Sequence, residues 1–160
     1  LLDNGGIYLD SDILVVKSFD PLRVYEVTMG RENPQWLNNG IIIAEPGSMF
    51  LCVWRAIWSR YRPYFWNFGR YSMSSPSELS KIIPQHIHVE EDSLQKPDGH
   101  SKHLLYLDKY DWSQNYAVHV FKHDRPAPIP ESPQETDKLD TTLGEVMRFV
   151  YYGSKELRNR

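Results

Sequence analysis

One cysteine, Cys52, stands among 160 residues. A single thiol forms no internal disulfide, so no cross-link replaces a core and no redox compartment is marked. Cys52 is expected to be a small buried hydrophobe on a helix, since a catalytic thiol would need an activating histidine or cation beside it. Long apolar runs are also missing. No stretch approaches the roughly 18 apolar residues that span a bilayer, and the nearest, Met49 to Trp58, is broken by Arg55. Charge of one sign is scarce too. Lysine and arginine number 18 against 21 aspartates and glutamates, a net charge of -3. That balance gives no electrostatic ground for binding nucleic acid or an anionic membrane. An anionic substrate would have to be held by local groups or by a metal.

The chain does have the material of a core, with 41% hydrophobic and 13% aromatic residues. A soluble globular fold of one ordinary domain is expected. The opening Leu1-Leu2-Asp3-Asn4-Gly5-Gly6 carries no leader pattern and reads as the last turn of a helix closing on glycine. The expectation is a chain that starts within a domain, with any membrane anchor in a preceding part.

Short apolar, β-branched runs at Ile7 to Leu9 and Ile13 to Val16 suit strands buried on both faces of an α/β sheet. Val24 to Thr28 and Gly40 to Ala44 are further strands, the latter closed by Pro46-Gly47. Ser48 caps a helix whose apolar residues Phe50, Val53, Trp54, Ile57, Trp58 and Tyr61 follow helical spacing up to Pro63. Ser75-Pro76-Ser77-Glu78 and Thr142-Leu143-Gly144-Glu145 read as capping boxes that open helices to about Ile83 and Tyr152, with Gly153 beyond the second. His86 to Val89 and Tyr116 to Phe121 are strands, and Pro97-Asp98-Gly99 is a turn. The proline-rich Arg125 to Pro133 is a surface segment. No repeat and no internal boundary stands out.

Chemistry concentrates at Asp10-Ser11-Asp12. In an extended segment residues i and i+2 point the same way, so two carboxylates there converge and repel. A divalent cation removes that cost; Mg²⁺ and Mn²⁺ prefer oxygen ligands, carboxylates together with phosphate and water. A pair at the end of a sheet strand also lies where open α/β sheets bind ligands. Gly5 and Gly6 allow a close approach of backbone or ligand just before it. A bare Asp-x-Asp is common as two solvated loop acids. Here Gly-Gly-Ile-Tyr-Leu-Asp precedes, Ile-Leu-Val-Val follows, and Asn-Asn-Gly-Ile-Ile-Ile comes some thirty residues later.

Those strings resemble the Asp-x-Asp region of glycosyltransferase family 32, which includes α-1,4-galactosyltransferase-like and initiating α-1,6-mannosyltransferase-like enzymes. Leu1 to Leu22 carries the pattern. Asn38-Asn39-Gly40-Ile41 followed by Ala44 to Leu51 is similar to that family's strand, Pro-Gly turn and helix, and Tyr116 to Phe121 looks like its late strand with a central histidine. The match is strong over 1–58, weaker near 115–121 and poor between. Gly69-Arg70 stands where a Gly-Pro step is expected.

The resemblance implies a GT-A-like mixed sheet flanked by helices, the C-terminal part of one catalytic domain, with the N-terminal nucleotide-binding portion outside this chain. It implies retaining transfer of a sugar from a nucleotide-sugar donor to a glycan, glycolipid or glycoprotein acceptor, with Mn²⁺ or Mg²⁺ on the diphosphate. Asp12 is then the main metal ligand. Asp10 touches donor ribose and sugar, or the metal through water, His119 approaches the metal or diphosphate, and Asn39 lies near the transferred sugar. Gly5, Gly6 and Tyr8 complete the donor-binding set. The Golgi lumen, within a type II membrane protein, is the implied location, or the cytoplasm for a bacterial homologue. The chain alone is expected to be inactive.

Other groups have a bland role beside a functional one. His86, His88 and Glu90 fall on one strand face and could serve zinc, but no further ligand stands at a recognisable spacing, and an exposed polar face is the plainer reading. His119 among apolar neighbours could be a satisfied core residue, with His123-Asp124 competing for its role. His100 and His103 flank a turn and read as solvated, and so do Lys17 and Arg23 unless they meet phosphate. Trp66, Tyr110 and Trp112 pack, or stack on acceptor sugars. Two rival classes remain at this level: a dehalogenase-type phosphatase, for which no suitable later Ser/Thr, Lys and acidic pair is found, and a non-catalytic homologue that binds sugar nucleotide.

Overall fold

The computed structural model describes residues 1–61 and 69–158; Pro63 and Trp66 lie outside them. The chain divides into two compact units, Leu1–Asp10 with Phe19–Leu94, and Ser11–Ser18 with Gln95–Arg160. No linker-like composition marks the crossing points, so the division is not legible in the sequence.

The first unit is built on a mixed sheet of order β1-β4-β3-β5, comprising β1 (Gly6–Leu9), β3 (Val27–Asn33), β4 (Trp36–Ala44) and β5 (His88–Glu90). β1 and β3 both run antiparallel to β4, while β5 joins β3 in parallel. α1 (Met49–Trp58) and α2 (Ser75–Ile82) come between β4 and β5 in the chain. Phe50, Leu51 and Trp54 of α1 and Leu79 of α2 pack with Val27, Met29, Leu37 and Ile42 of the sheet. The expected α1 begins where the sequence places it. The Ser48 hydroxyl accepts the Leu51 N–H, and Glu26 accepts both the Phe50 N–H and the Ser48 hydroxyl. The Ser75 box does not form: Ser75 donates to the Tyr71 carbonyl and accepts the Trp54 indole N–H.

Three expectations are corrected in this unit. β1 is exposed along its length rather than buried on both faces, because it is an edge strand paired only to β4. β3 and β4 are longer than expected and form a hairpin, with the Asn33 side chain accepting the Gln35 and Trp36 N–H groups at the turn. Cys52 is on α1 but on its exposed face, since the helix buries its 50, 51 and 54 positions instead.

The second unit holds an antiparallel ribbon of β2 (Ile13–Val15) and β6 (Ala117–His119), with α3 (His103–Tyr106), α4 (Pro133–Lys138) and α5 (Thr142–Tyr152). Its core gathers Leu105, Tyr106, Val118, Val120, Leu143 and Val146. α5 is capped by Thr141, not by Thr142, whose hydroxyl instead donates to the Asp108 carbonyl; Gly153 closes the helix in the left-handed region. α4 was not anticipated, although Ser132-Pro133-Gln134-Glu135 caps it: the Ser132 hydroxyl accepts the Glu135 N–H and Glu135 accepts the Glu131 N–H. Arg148 is fully buried, donating to the carbonyls of Thr136, Leu139 and Lys155. No helix among the described residues is long and apolar enough to cross a membrane.

Candidate functional site

Asp10 to Asp12 is a turn between β1 and β2, not an extended segment. The same-face argument for residues i and i+2 therefore does not apply, and what each carboxylate meets is decided by its own strand.

Asp10 ends the first unit. Its N–H donates to the Gly40 carbonyl at 2.8 Å, continuing the β1–β4 ladder. Its carboxylate accepts the Tyr8 hydroxyl at 2.6 Å. That hydrogen bond, with some burial and the Asp10 charge, pushes the Tyr8 phenol up from its ordinary value. Gly5 serves the fold. At φ +63° it is left-handed, and a Cβ there would lie 2.8 Å from the Ala44 carbonyl oxygen. Gly6 is also left-handed, with room around it. Asn39 falls at the irregularity of β4, where pairing steps from Met29↔Ile42 to Gly30↔Asn38. Its neighbour Asn38 holds that bulge, accepting the Gly40 N–H at 2.6 Å and donating to Glu32 at 2.5 Å.

Asp12 opens the second unit. Its carbonyl accepts the Val120 N–H at 2.9 Å, extending the β2–β6 ribbon by one step. Asp12 thereby comes beside His119, the last residue of β6. His119 Nε2 and Asp12 Oδ1 are 3.5 Å apart, and each side chain is only 12% exposed. The other imidazole nitrogen, Nδ1, is buried with no hydrogen-bond partner among the described residues. The Phe121 ring stacks on the imidazole at 4.1 Å between centroids.

Phe121 has φ 54°, left-handed backbone that bulky residues rarely adopt. This turn brings the Lys122 N–H onto the second Asp12 oxygen at 3.0 Å and its ammonium onto the Ser11 hydroxyl at 2.6 Å. Strain of this kind persists where surrounding structure over-determines it, and it clusters at functional sites. Tyr106 donates to the Val120 carbonyl beneath. Burial raises its phenol, Arg125 opposes that, and the nearby Asp12 charge adds to it.

The pair's donor set suits a first-row divalent cation, with one imidazole nitrogen and one carboxylate. At 3.5 Å the two atoms are too far apart for a good hydrogen bond. They are close enough to share an ion, since two bonds of about 2.1 Å each reach up to about 4.2 Å. The residues present therefore fit a metal. Asp10 is tethered to Asp12 through Ser11 alone, so their Cα atoms are at most about 7 Å apart by chain geometry.

His123 and Asp124 are exposed, so the competing histidine is not the one beside Asp12. The His86-His88-Glu90 face does not exist as such. His86 lies in a 3-10 turn against Glu26 at 2.5 Å, whereas His88 stacks on Tyr25 and meets Glu90 at 2.7 Å. Lys17 donates to the Ser113 carbonyl, and Arg23 pairs on the surface with Asp20. His100 and His103 are exposed, as expected. Sequence reasoning missed Phe121 and Lys122. A cation directly after the histidine strand was readable as a hint. The left-handed phenylalanine has no sequence mark, because glycine or asparagine normally signals that conformation.

No known protein-family profile matches the chain. A Cryptococcus neoformans var. grubii protein named Glucan organizing enzyme 1 is 35% identical over 170 residues, which takes in 96% of this chain and 46% of that protein. The chain thus spans about half the length of the curated relative it matches.

Proposed function

We propose that this chain belongs to a glycan-related enzyme and carries the metal-binding part of a glycosyltransferase that moves a sugar from a nucleotide donor to a glycan, lipid or protein acceptor. The observation that carries the reading is the pairing of Asp12 with His119, both largely buried, at the end of the β2–β6 ribbon. A relative whose name joins glucan to enzyme supports it independently.

In this reading Asp12 and His119 would hold Mn²⁺ or Mg²⁺. When bound, the cation supplies Lewis acidity at the leaving diphosphate. The chain's own groups do the rest. The Lys122 N–H fixes one Asp12 oxygen, leaving the other free to bind. The Lys122 ammonium, now on Ser11, is a second cation able to meet a phosphate oxygen as charge builds there. Tyr8 orients Asp10. Retention at the anomeric carbon and the placing of Asn39 beside the transferred sugar follow from the family resemblance.

The test is Mn²⁺ titration by electron paramagnetic resonance, followed by a nucleotide-sugar donor screen on the protein as it occurs in its natural source. Mn²⁺ affinity should fall by at least about tenfold in Asp12→Ala and in His119→Ala, with folding retained and donor turnover lost. A wild-type protein that binds neither Mn²⁺ nor Mg²⁺ sinks the proposal.

A further inference from the structure

The second unit has a cleft of about 910 Å³ at the other end of the β2–β6 ribbon, reached by Val16 and Lys17. None of its lining residues is Asp12 or His119. Asp12 precedes β2 and Val16 follows it, so the strand separates them by about 13 Å. The cleft lies within the size range of ligand sites, about 300–1,000 Å³.

Its walls mix aromatic faces with fixed polar groups. Trp112 is partly buried against the unit's core and also lines the cleft, so it packs and presents surface at once. The indole is held in place. Phe149 meets it edge-on at 5.1 Å, and its N–H points at Glu145 Oε2 at 3.4 Å. Tyr110 lines the same cleft, with its backbone N–H on the Thr142 hydroxyl at 2.8 Å. Asp111 is exposed and accepts the Ser113 N–H at 2.9 Å.

Charge decides the ligand class. The cleft has three lysines, but Lys109 is held between Asp140 and Glu145, and Lys17 donates to the Ser113 carbonyl. Asp111 and Glu145 add two carboxylates to the same walls. A phosphate or nucleotide would meet two lysines already engaged and a third, Lys155, whose charge already acts on the Asp111 carboxylate. A neutral polyhydroxyl ligand meets an aromatic face for its C–H side, with acceptors and donors for its rim.

The geometry points to a binding site for a neutral saccharide chain in this cleft, one that works without metal. Its role as the distal hold on a glycan acceptor rests on the transferase reading; saccharide binding itself does not. Contacts there would lend remote binding energy to a reaction at the other end of the ribbon.

Maltohexaose, laminarihexaose and mannohexaose titrated calorimetrically into the protein test this, with Mn²⁺ and with EDTA. At least one should bind equally in both conditions. Trp112→Ala should weaken it by about tenfold or more, while Asp12→Ala should not weaken it. Should Trp112→Ala fail to fold, Trp112→Phe and the exposed Asp111→Asn carry the test, each expected to weaken binding. Three outcomes overturn the proposal: no hexasaccharide binds, binding is indifferent to every cleft variant, or binding is lost with EDTA and in Asp12→Ala. Failure of the Mn²⁺ titration alone leaves these outcomes readable, so the two ideas fall separately.

Discussion

Replacing Arg148 by methionine should destabilise the protein by about 2–4 kcal/mol. Arg148 is 1% exposed, and its guanidinium donates to three backbone carbonyls: Thr136 at 2.7 Å, Leu139 at 2.8 Å and Lys155 at 3.0 Å. A hydrogen bond from a charged group contributes about 1.5–3 kcal/mol, so three give a gross loss of roughly 4–9 kcal/mol. Methionine fills similar space and removes the cost of burying a charge, which offsets several kcal/mol of that loss. Urea unfolding measures the net effect, and for a chain of this length it corresponds to a midpoint about 4–16 °C lower on heating. Arg148→Lys should be no better than Arg148→Met, because an ammonium keeps the burial cost and cannot span three carbonyls. The Lys155 bond also ties down a wall of the saccharide cleft, so hexasaccharide affinity should fall in both variants at temperatures where they remain folded. If Arg148→Met unfolds within about 0.5 kcal/mol of wild type while Arg148→Lys does not, the three-carbonyl account is wrong.

Two further outcomes follow from named contacts. Burial pushes the Glu26 carboxyl up, but hydrogen bonds from His86, the Phe50 N–H and Ser48 outweigh it and hold the group below its ordinary value. A lowered folded value means stabilisation that is complete above the unfolded carboxylate range and lost as pH falls through the folded value. The stability gap between wild type and Glu26→Gln should therefore shrink below about pH 4.5; a gap that stays constant or widens below that pH, measured by urea melts, would contradict the assignment. Gly144→Ala should destabilise despite alanine's helix preference of about 1 kcal/mol, since its Cβ would fall 2.0 Å from the Leu139 carbonyl oxygen and 2.9 Å from Arg148. Thermal melts showing a stabilised variant would mean the α5 N-terminus can shift freely.

The local elements were legible because their signals are local. Ser48 announces α1, Gly153 ends α5, and the β-branched run Ile41-Ile42-Ile43 is a strand whatever surrounds it. The sequence also singled out Asp10, Asp12 and His119, the first two through an extended-strand argument that the turn at Asp10 to Asp12 removes, and all three through a resemblance. What it could not reach depends on pairing between distant segments. Whether Ile7 to Leu9 is central or at an edge turns on which strands hydrogen-bond to it, and it found one neighbour instead of two. Cys52 faces out because the neighbours α1 packs against chose its 50, 51 and 54 positions. Asp12 meets His119 only because β2 pairs with a strand more than a hundred residues later, in a register that no pattern within either strand records. Local propensity writes the elements; the register of long-range pairing, set by burial summed over the whole chain, decides which side chains meet.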